Sequence, residues 1–396
     1  MLKILFWLCA LLVFYTYLGY GILLYGLVWV KKKLLHAKAI PDLSEMPEVT
    51  LLIAAYNEED CVEEKICNCQ LLNYPKGKLS ICWVTDGSDD RTNEILSNHP
   101  EMHVLFQPQR QGKTAALNRG MEWVKTPFVV FTDANTRLNP NAILEIVKPF
   151  ANPKVGCVAG EKRIEQPKTG NAAVSEGIYW KYESSLKTLD YMLHSAVGAA
   201  GELFAIRTTL FETMPSDTLL DDFILSMRIA QKGYKIAYCK EAYALEEPSS
   251  NILEEEKRKV RISAGGLQSI YRLRALLNPF KYGTLCFQYI SHRVLRWSVT
   301  PIALFLLLPL NVILLMTLKE GLAGYIVLLS LQILFYSFGI IGSMYARKNI
   351  KKKALYIPFY FLFMNVNVIK GFFYLKKKKG SGIWEKAKRT QNIPYE

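Results

Sequence analysis

Apolar residues are distributed along the chain in two different patterns. At the two ends they run on almost without interruption, whereas in the middle they come in short blocks closed by polar turns. Residues 4–28 carry no charge, and a helix of that length spans a hydrocarbon core of about 30 Å. No short apolar core followed by a small-residue cleavage site is present, so this segment reads as an anchor rather than a removed signal peptide. Three more apolar stretches cover residues 297–318, 322–344 and 355–375. Between the ends, residues 49–55, 79–84, 103–107, 128–132 and 155–160 read as buried strands, and residues 114–124 as a crossover helix. Strands alternating with amphipathic segments predict an α/β class, a Rossmann-type domain with a mostly parallel sheet.

The domain plan that follows has six parts. A transmembrane helix (1–30) and a linker (31–48) precede a cytoplasmic catalytic-type domain (49–275). An interfacial helix region (276–296), transmembrane or re-entrant helices (297–375) and a basic cytoplasmic tail (376–396) complete the chain.

Charge sharpens the plan. The net charge of +14 is concentrated in lysine runs at 31–33, 351–353 and 376–379, each beside an apolar segment. Such runs mark the cytoplasmic side and favour anionic lipid, which argues for a multi-pass cell-membrane protein and against a nucleic-acid partner. One conflict remains: a full crossing by 355–375 would place Lys376–Lys379 outside. That segment also holds Pro358, Asn365, Asn367 and Lys370, costly against lipid. It is therefore expected to be re-entrant or protein-packed. The eight cysteines show no metal-ligand spacing and read as reduced structural thiols.

Candidate chemistry gathers where strands end. Tyr56-Asn57-Glu58 closes the first strand, Asp86-Gly87-Ser88 the second, and Asp133-Ala134-Asn135 a later one. In open α/β sheets ligands bind outside the carboxyl ends of strands. Each cluster also has a plainer reading. Asp86-Gly87 is a turn signal, Asp89 could cap the next helix, and Asp221-Asp222 could cap the helix that reaches Gln231. No Gly-x-Gly-x-x-Gly follows the first strand and no Walker lysine motif occurs, so dinucleotide and P-loop readings lose support.

Taken in order, the motifs resemble those of inverting family 2 glycosyltransferases, the group that includes cellulose, chitin, hyaluronan and poly-N-acetylglucosamine synthases. They are Ile53-Ala54-Ala55-Tyr56-Asn57-Glu58, Val84-Thr85-Asp86-Gly87-Ser88, Gly112-Lys113-Thr114-Ala115-Ala116-Leu117-Asn118, Phe131-Thr132-Asp133-Ala134-Asn135, Gly201-Glu202 through Arg207, and Leu220-Asp221-Asp222-Phe223. The resemblance covers residues 49 to about 262 and implies a nucleotide-sugar-binding, GT-A-like fold. It implies that Ala55, Asn57, Glu58 and Asp86 contact the uridine, with Lys113 near the nucleotide. Asp133 would position the donor sugar and a divalent cation, Mg²⁺ or Mn²⁺, with Asn135 standing where the family has a second acid. Asp222 would be the catalytic base.

The chemistry asks for the same groups. Inversion needs one carboxylate to take the acceptor hydroxyl's proton during attack on the anomeric carbon. The leaving diphosphate needs a cation, for which carboxylates and phosphate oxygens are the fitting ligands. Two departures stand out, the first being Asn135 in place of the second acid. The processive members' Gln-x-x-Arg-Trp is replaced by Arg258-Lys259-Val260-Arg261-Ile262, which keeps an arginine and loses a sugar-stacking tryptophan. Arg258 and Arg261 are candidates for the diphosphate, or for a solvated helix face. Trp384 to Arg389 resembles a gating element that closes over the donor, or else an interfacial anchor, and His292 reads as an interfacial residue.

The expected function is transfer of a hexose or N-acetylhexosamine from a UDP-sugar to a glycan or lipid-linked acceptor, in polysaccharide synthesis or as a single addition. A further membrane subunit or a homo-oligomer is an expected partner. The competing classes are a non-catalytic membrane scaffold and a transporter, and the few apolar segments disfavour the latter.

Overall fold

A computed structural model describes residues 1–34, 43, 45–164, 172–348, 350 and 352–377. The chain begins with one long helix: α1 (Leu2–Phe14) passes through a π-helical turn, Tyr15–Gly19, into α2 (Tyr20–Leu34). The α/β domain opens with β1 (Val49–Ala55), α3 (Val62–Gln70), β2 (Leu79–Asp86), α4 (Thr92–Ser97), β3 (His103–Gln107) and α5 (Lys113–Trp123). It continues through β4 (Phe128–Asp133), β5 (Thr136–Leu138), α6 (Ala142–Val147), β6 (Val155–Ile164) and α7 (Ala172–Leu193). It closes with β7 (Leu203–Arg207), α8 (Asp221–Gln231), β8 (Lys235–Glu246) and α9 (Ile252–Arg272). After α10 (Pro279–Tyr289), a second π-helical turn, Ile290–Val294, leads into α11 (Leu295–Trp297). Three long helices follow: α12 (Val299–Thr317), α13 (Leu322–Arg347) and α14 (Lys353–Lys377).

The eight-stranded sheet has the order β3-β2-β1-β4-β7-β6-β8-β5. Pairings β1–β2, β1–β4, β2–β3 and β6–β8 are parallel, whereas β7 runs antiparallel to β4 and β6, and β5 to β8. The uninterrupted apolar run in β1 follows from burial on both faces. Leu52 packs with Val84, Leu117 and Phe131 on the α5–α8 side. Leu51 and Ile53 point the other way, into the core with Ile66 and Ile143 of α3 and α6. Helix α7, strand β8 and helix α9 extend the domain beyond the elements the apolar blocks predict.

Among the described residues, four helical segments are long and apolar enough to cross a membrane, by length and composition alone: Leu2–Leu34, Val299–Thr317, Leu322–Arg347 and Ala354–Lys377. The last is one unbroken helix despite Pro358. Its polar residues are accommodated by packing: α14 lies against α9 and α13, and Asn365 and Asn367 are buried. Tyr17 donates to Asn365 Oδ1 at 2.5 Å, which ties α14 to the N-terminal π-helical turn. All eight cysteines are free thiols.

Candidate active site

The carboxyl ends of the central parallel strands finish nearly flush. Ala54 lies opposite Val84 on one side and Asp133 on the other, and Ala55 lies opposite Thr85. A cavity of about 1290 Å³ opens there and continues to the membrane-type helices. Its lining includes Ala55, Glu58, Asp86, Lys113, Asp133, Asn135, Asp222, Arg258 and Arg261, which lie far apart in the chain.

At the strand-end side, local structure fixes each group. Gly87, with φ +71°, turns the chain where an added Cβ would sit 2.7 Å from the Arg110 backbone nitrogen, so a side chain there is excluded. The turn lets Asp86 accept from the backbone N–H of Gln111 at 3.1 Å and of Gly112 at 2.6 Å, just ahead of α5. Asn57 adopts φ +53° and uses both ends of its amide on Asp89: Nδ2 donates to Oδ1 at 2.5 Å and Oδ1 accepts from the Asp89 N–H at 3.0 Å. Its side chain thus joins two strand-end loops, and Asp89 is used there rather than as a cap. The backbone N–H of Thr92, in the first turn of α4, is met by Asp90 instead. Asn118 of α5 brackets the backbone of Met214 with a donor and an acceptor, which fixes the loop leading to Asp221.

The catalytic-type acids meet over α5 and α8. Lys113 Nζ lies 2.5 Å from Asp133 Oδ1. Burial alone would lower the Lys113 pKa, but Asp133, Asp221 and Asp222 raise it on balance, so the ammonium stays charged. Asp222 stands in the first turn of α8. Burial, then the charge of Asp221, pushes its carboxyl up to about 7, against the opposing pull of Lys113. A carboxylate with that value is poised to take a proton at neutral pH. One oxygen of Asp221 is buried without a hydrogen-bond partner among the described residues.

Arg258 lines the cavity while its guanidinium engages Glu246 at 3.1 Å and Glu255 at 3.3 Å. Lys162 completes that network by pairing with Glu202 and Glu246. Arg261 is half-buried; desolvation and Arg258 lower its pKa while Asp221 and Asp133 act against them, which places it beside those acids. Ile262 lines the cavity, and two tryptophans that the motifs do not flag, Trp180 and Trp297, line it too. Trp384 lies outside the described residues.

The membrane-facing wall contains residues that sequence reading missed: Glu183 and Lys187 from α7, with Arg293 and Arg296 from the second π-helical turn and α11. His292 corrects an expectation. It is fully buried rather than interfacial, with Nδ1 at 2.5 Å from Asp190 and Nε2 at 3.3 Å from Glu183. Both partners lie about a hundred positions earlier on α7, so no local pattern announced them. Burial would raise the Glu183 carboxyl, but Arg296, Arg293 and His292 hold it well below the usual carboxylate range.

A mixed, largely parallel sheet with acids and a lysine at its strand ends defines a GT-A-like nucleotide-sugar fold flanked by apolar helices. Comparison with known proteins agrees. Residues 50–214 match Glycosyl transferase family 2. The chain is 28% identical over 247 residues to poly-beta-1,6-N-acetyl-D-glucosamine synthase of Staphylococcus aureus (strain MSSA476), covering 59% of this chain and 58% of that protein. The enzyme of the same name from Staphylococcus epidermidis is 26% identical over 233 residues, covering 57% and 56%. The chain thus spans little more than half the length of the curated relatives it matches. Among solved structures, a mannosyltransferase from Pyrobaculum calidifontis, in complex with GDP-Man and Mn²⁺, superimposes with a TM-score of 0.72 at 20% identity, over 96% of this chain and 100% of that one. Residues 50–214 thus match a family 2 glycosyltransferase domain, and the chain resembles the poly-N-acetylglucosamine synthases.

Proposed function

We propose that the chain transfers a hexosyl or N-acetylhexosaminyl group, with inversion, from a UDP-sugar to an acceptor hydroxyl at the cytoplasmic face of a membrane. The observation that carries this reading is Asp222, a carboxylate with a pKa of about 7 beside the Lys113–Asp133 pair at the strand ends. Asp222 takes the proton of the acceptor hydroxyl as that oxygen attacks the anomeric carbon. The bond to the nucleoside diphosphate breaks on the opposite face, and no covalent enzyme intermediate is needed. Lys113 supplies positive charge near the leaving diphosphate. Tyr56, stacked 3.6 Å from the Arg110 guanidinium, borders the same end of the cavity and fits a wall for the base.

A divalent cation fits this reading. Among the described residues no three carboxylate, histidine or cysteine groups converge, so Asp133 and Asn135 would hold the ion jointly with the donor's diphosphate. Such an ion, Mg²⁺ or Mn²⁺, neutralises charge on the leaving phosphates. N-acetylhexosamine is favoured by the names of the staphylococcal relatives, and the lysines at 31–33 support a cytoplasmic domain. Ile262 on the cavity wall favours short products over a long polymer.

The test is a panel of UDP-N-acetylhexosamines, UDP-hexoses and GDP-hexoses, offered with and without divalent ions to the full chain in phosphatidylcholine nanodiscs. UDP release dependent on donor, metal and acceptor is expected, with products of discrete size. Release from no nucleotide sugar would overturn the reading.

A further inference from the structure

The cavity does not stop at Asp222. Past it, the wall is built from Lys187, Arg293 and Arg296, with Glu183 as a balancing carboxylate. Arg293 Nη1 lies 3.4 Å from Glu183, and Arg296 pairs with the same carboxylate. Lys187 is different. Its residue is only 6% exposed, yet among the described residues it makes no hydrogen bond or ion pair. Its one described contact of this kind is the Tyr238 ring, with the centroid 5.6 Å from Nζ. A buried ammonium outside any ion pair is costly; burial and then the charge of Arg293 lower its pKa on balance, against the opposing pull of Glu183, Glu202 and Asp222. Lys187 lines the cavity with its ammonium in no ion pair among the described residues, and so remains available to an anion there.

Beyond the cations the lining turns apolar. Val13, Phe14 and Leu18 come from the N-terminal helix, and Phe361, Met364 and Val368 from α14. Phe14 and Leu18 are 52% and 57% exposed, and both belong to a candidate membrane span. Ile357 of another such span is 49% exposed and lines the same cavity. The apolar end therefore opens sideways, on a surface whose composition suits lipid. Tyr17 holds the two helices together at this opening through Asn365 and a ring contact with Phe361 at 4.6 Å. It stands on the π-helical turn Tyr15–Gly19, a distortion that recurs at functional sites.

We propose that this end of the cavity binds a lipid acceptor, with its apolar chain between the N-terminal helix and α14, its headgroup phosphate on Lys187 and Arg293, and a headgroup hydroxyl presented to Asp222. The inference rests on the transferase reading above and names the acceptor class for it. The acceptor O–H gives its proton to Asp222, its oxygen forms the new bond to the anomeric carbon, and the nucleoside diphosphate leaves with the electrons of the broken bond. Arg293 and Lys187 bind the phosphate and take no part in the proton transfer.

The test uses three probes on the full chain in phosphatidylcholine nanodiscs: dodecyl phosphate, dodecanol and inorganic phosphate. Binding is followed by tryptophan fluorescence, with donor affinity titrated in the same samples. Dodecyl phosphate should bind at least roughly tenfold tighter than either fragment, since chain and anion act together. Lys187→Gln should remove that advantage, and Lys187→Arg should keep most of it. Equal binding of dodecanol would overturn the phosphate subsite; equal binding of inorganic phosphate would overturn the lipid. An unchanged dodecyl phosphate affinity in Lys187→Gln, with donor affinity intact, would remove Lys187 from the site. If donor binds and turns over with a soluble glycan while dodecyl phosphate does not bind, this inference alone fails. If no nucleotide sugar binds, the transferase reading fails with it.

Discussion

The two ends of the cavity are built by different means. At the strand-end side, Asp86, Asp133 and Asp222 each sit at a junction between a strand or loop and a helix, and short sequence motifs carry them. At the membrane-facing side, Glu183, Lys187, Arg293 and Arg296 come from the middle of helices and from a π-helical turn. The first construction is local: a tight turn at Gly87 and the start of α5 fix Asp86 with few residues. The second is non-local, since Glu183 and its partners are separated by more than a hundred positions. Local construction writes a motif and distributed construction does not. A fixed donor end can therefore be joined to acceptor ends of different chemistry.

The sharpest way to separate the two ends is Asp222→Asn. On the proposed role of Asp222 as base, its loss should lower transfer by roughly 10²- to 10⁴-fold while nucleotide-sugar affinity changes little. The pH profile adds a second readout. Asp222 must be ionised to accept a proton, and its pKa is about 7. Turnover should therefore rise with pH through that value and fall about tenfold per unit below it. A variant that keeps the same rising limb would show that another group is the base.

The same division explains what could be read from sequence. Strands β1 and β3 occupy the predicted residues, and β2, β4 and β6 start where expected and run a few residues further. Continuous apolar runs declare strands buried on both faces. Helix α7 carries none of the motifs and is not among the elements the apolar blocks predict. In the structure Glu183, Lys187 and Asp190 are buried and face inward. The motif at Arg258 leaves a diphosphate role and a solvated helix face both open; in the structure Arg258 lines the cavity, and Glu246, on a strand the apolar blocks do not predict, and Glu255 engage its guanidinium. His292 misled for a related reason: neither its π-helical turn nor its two acidic partners leave a trace in local periodicity.

Glu183→Gln probes the distributed end. Glu183 is the carboxylate facing Arg293, Arg296 and His292, and neutralising it removes a counter-charge that the three share, while His292 keeps Asp190. Removing one partner of a buried ion pair typically costs about 3–5 kcal/mol. Arg293 and Arg296 keep some access to the cavity, so roughly 2–3 kcal/mol is the better expectation. The carboxylate's pKa is held low in the folded chain, so its stabilisation is present at neutral pH and lost as pH falls through that depressed value. Thermal denaturation in detergent at pH 7.5 should show a clear drop for the variant, and the gap from the parent chain should narrow at low pH. An equal midpoint at pH 7.5 would mean that packing and the Asp190–His292 pair hold the π-helical turn without help from Glu183.

The smallest expected effect lies where the two ends meet. A Cβ built on Gly201 would sit 3.3 Å from Lys113 Nζ and 3.5 Å from Asp222 Oδ2. Both neighbours are ends of side chains, so Gly201→Ala should fold, displacing the Lys113 ammonium by a few tenths of an ångström and leaving Asp222 in ordinary contact with the new methyl. Misplacement by about 1 Å can cost on the order of 100-fold in rate, so this smaller shift should cost roughly three- to tenfold in turnover. The loss should fall on kcat more than on donor KM, because the strand-end residues that meet the nucleotide lie away from the added methyl. A rise in donor KM with unchanged kcat would instead place Lys113 in ground-state binding of the diphosphate. It would also move the boundary between the local and distributed halves of the site to the far side of Lys113.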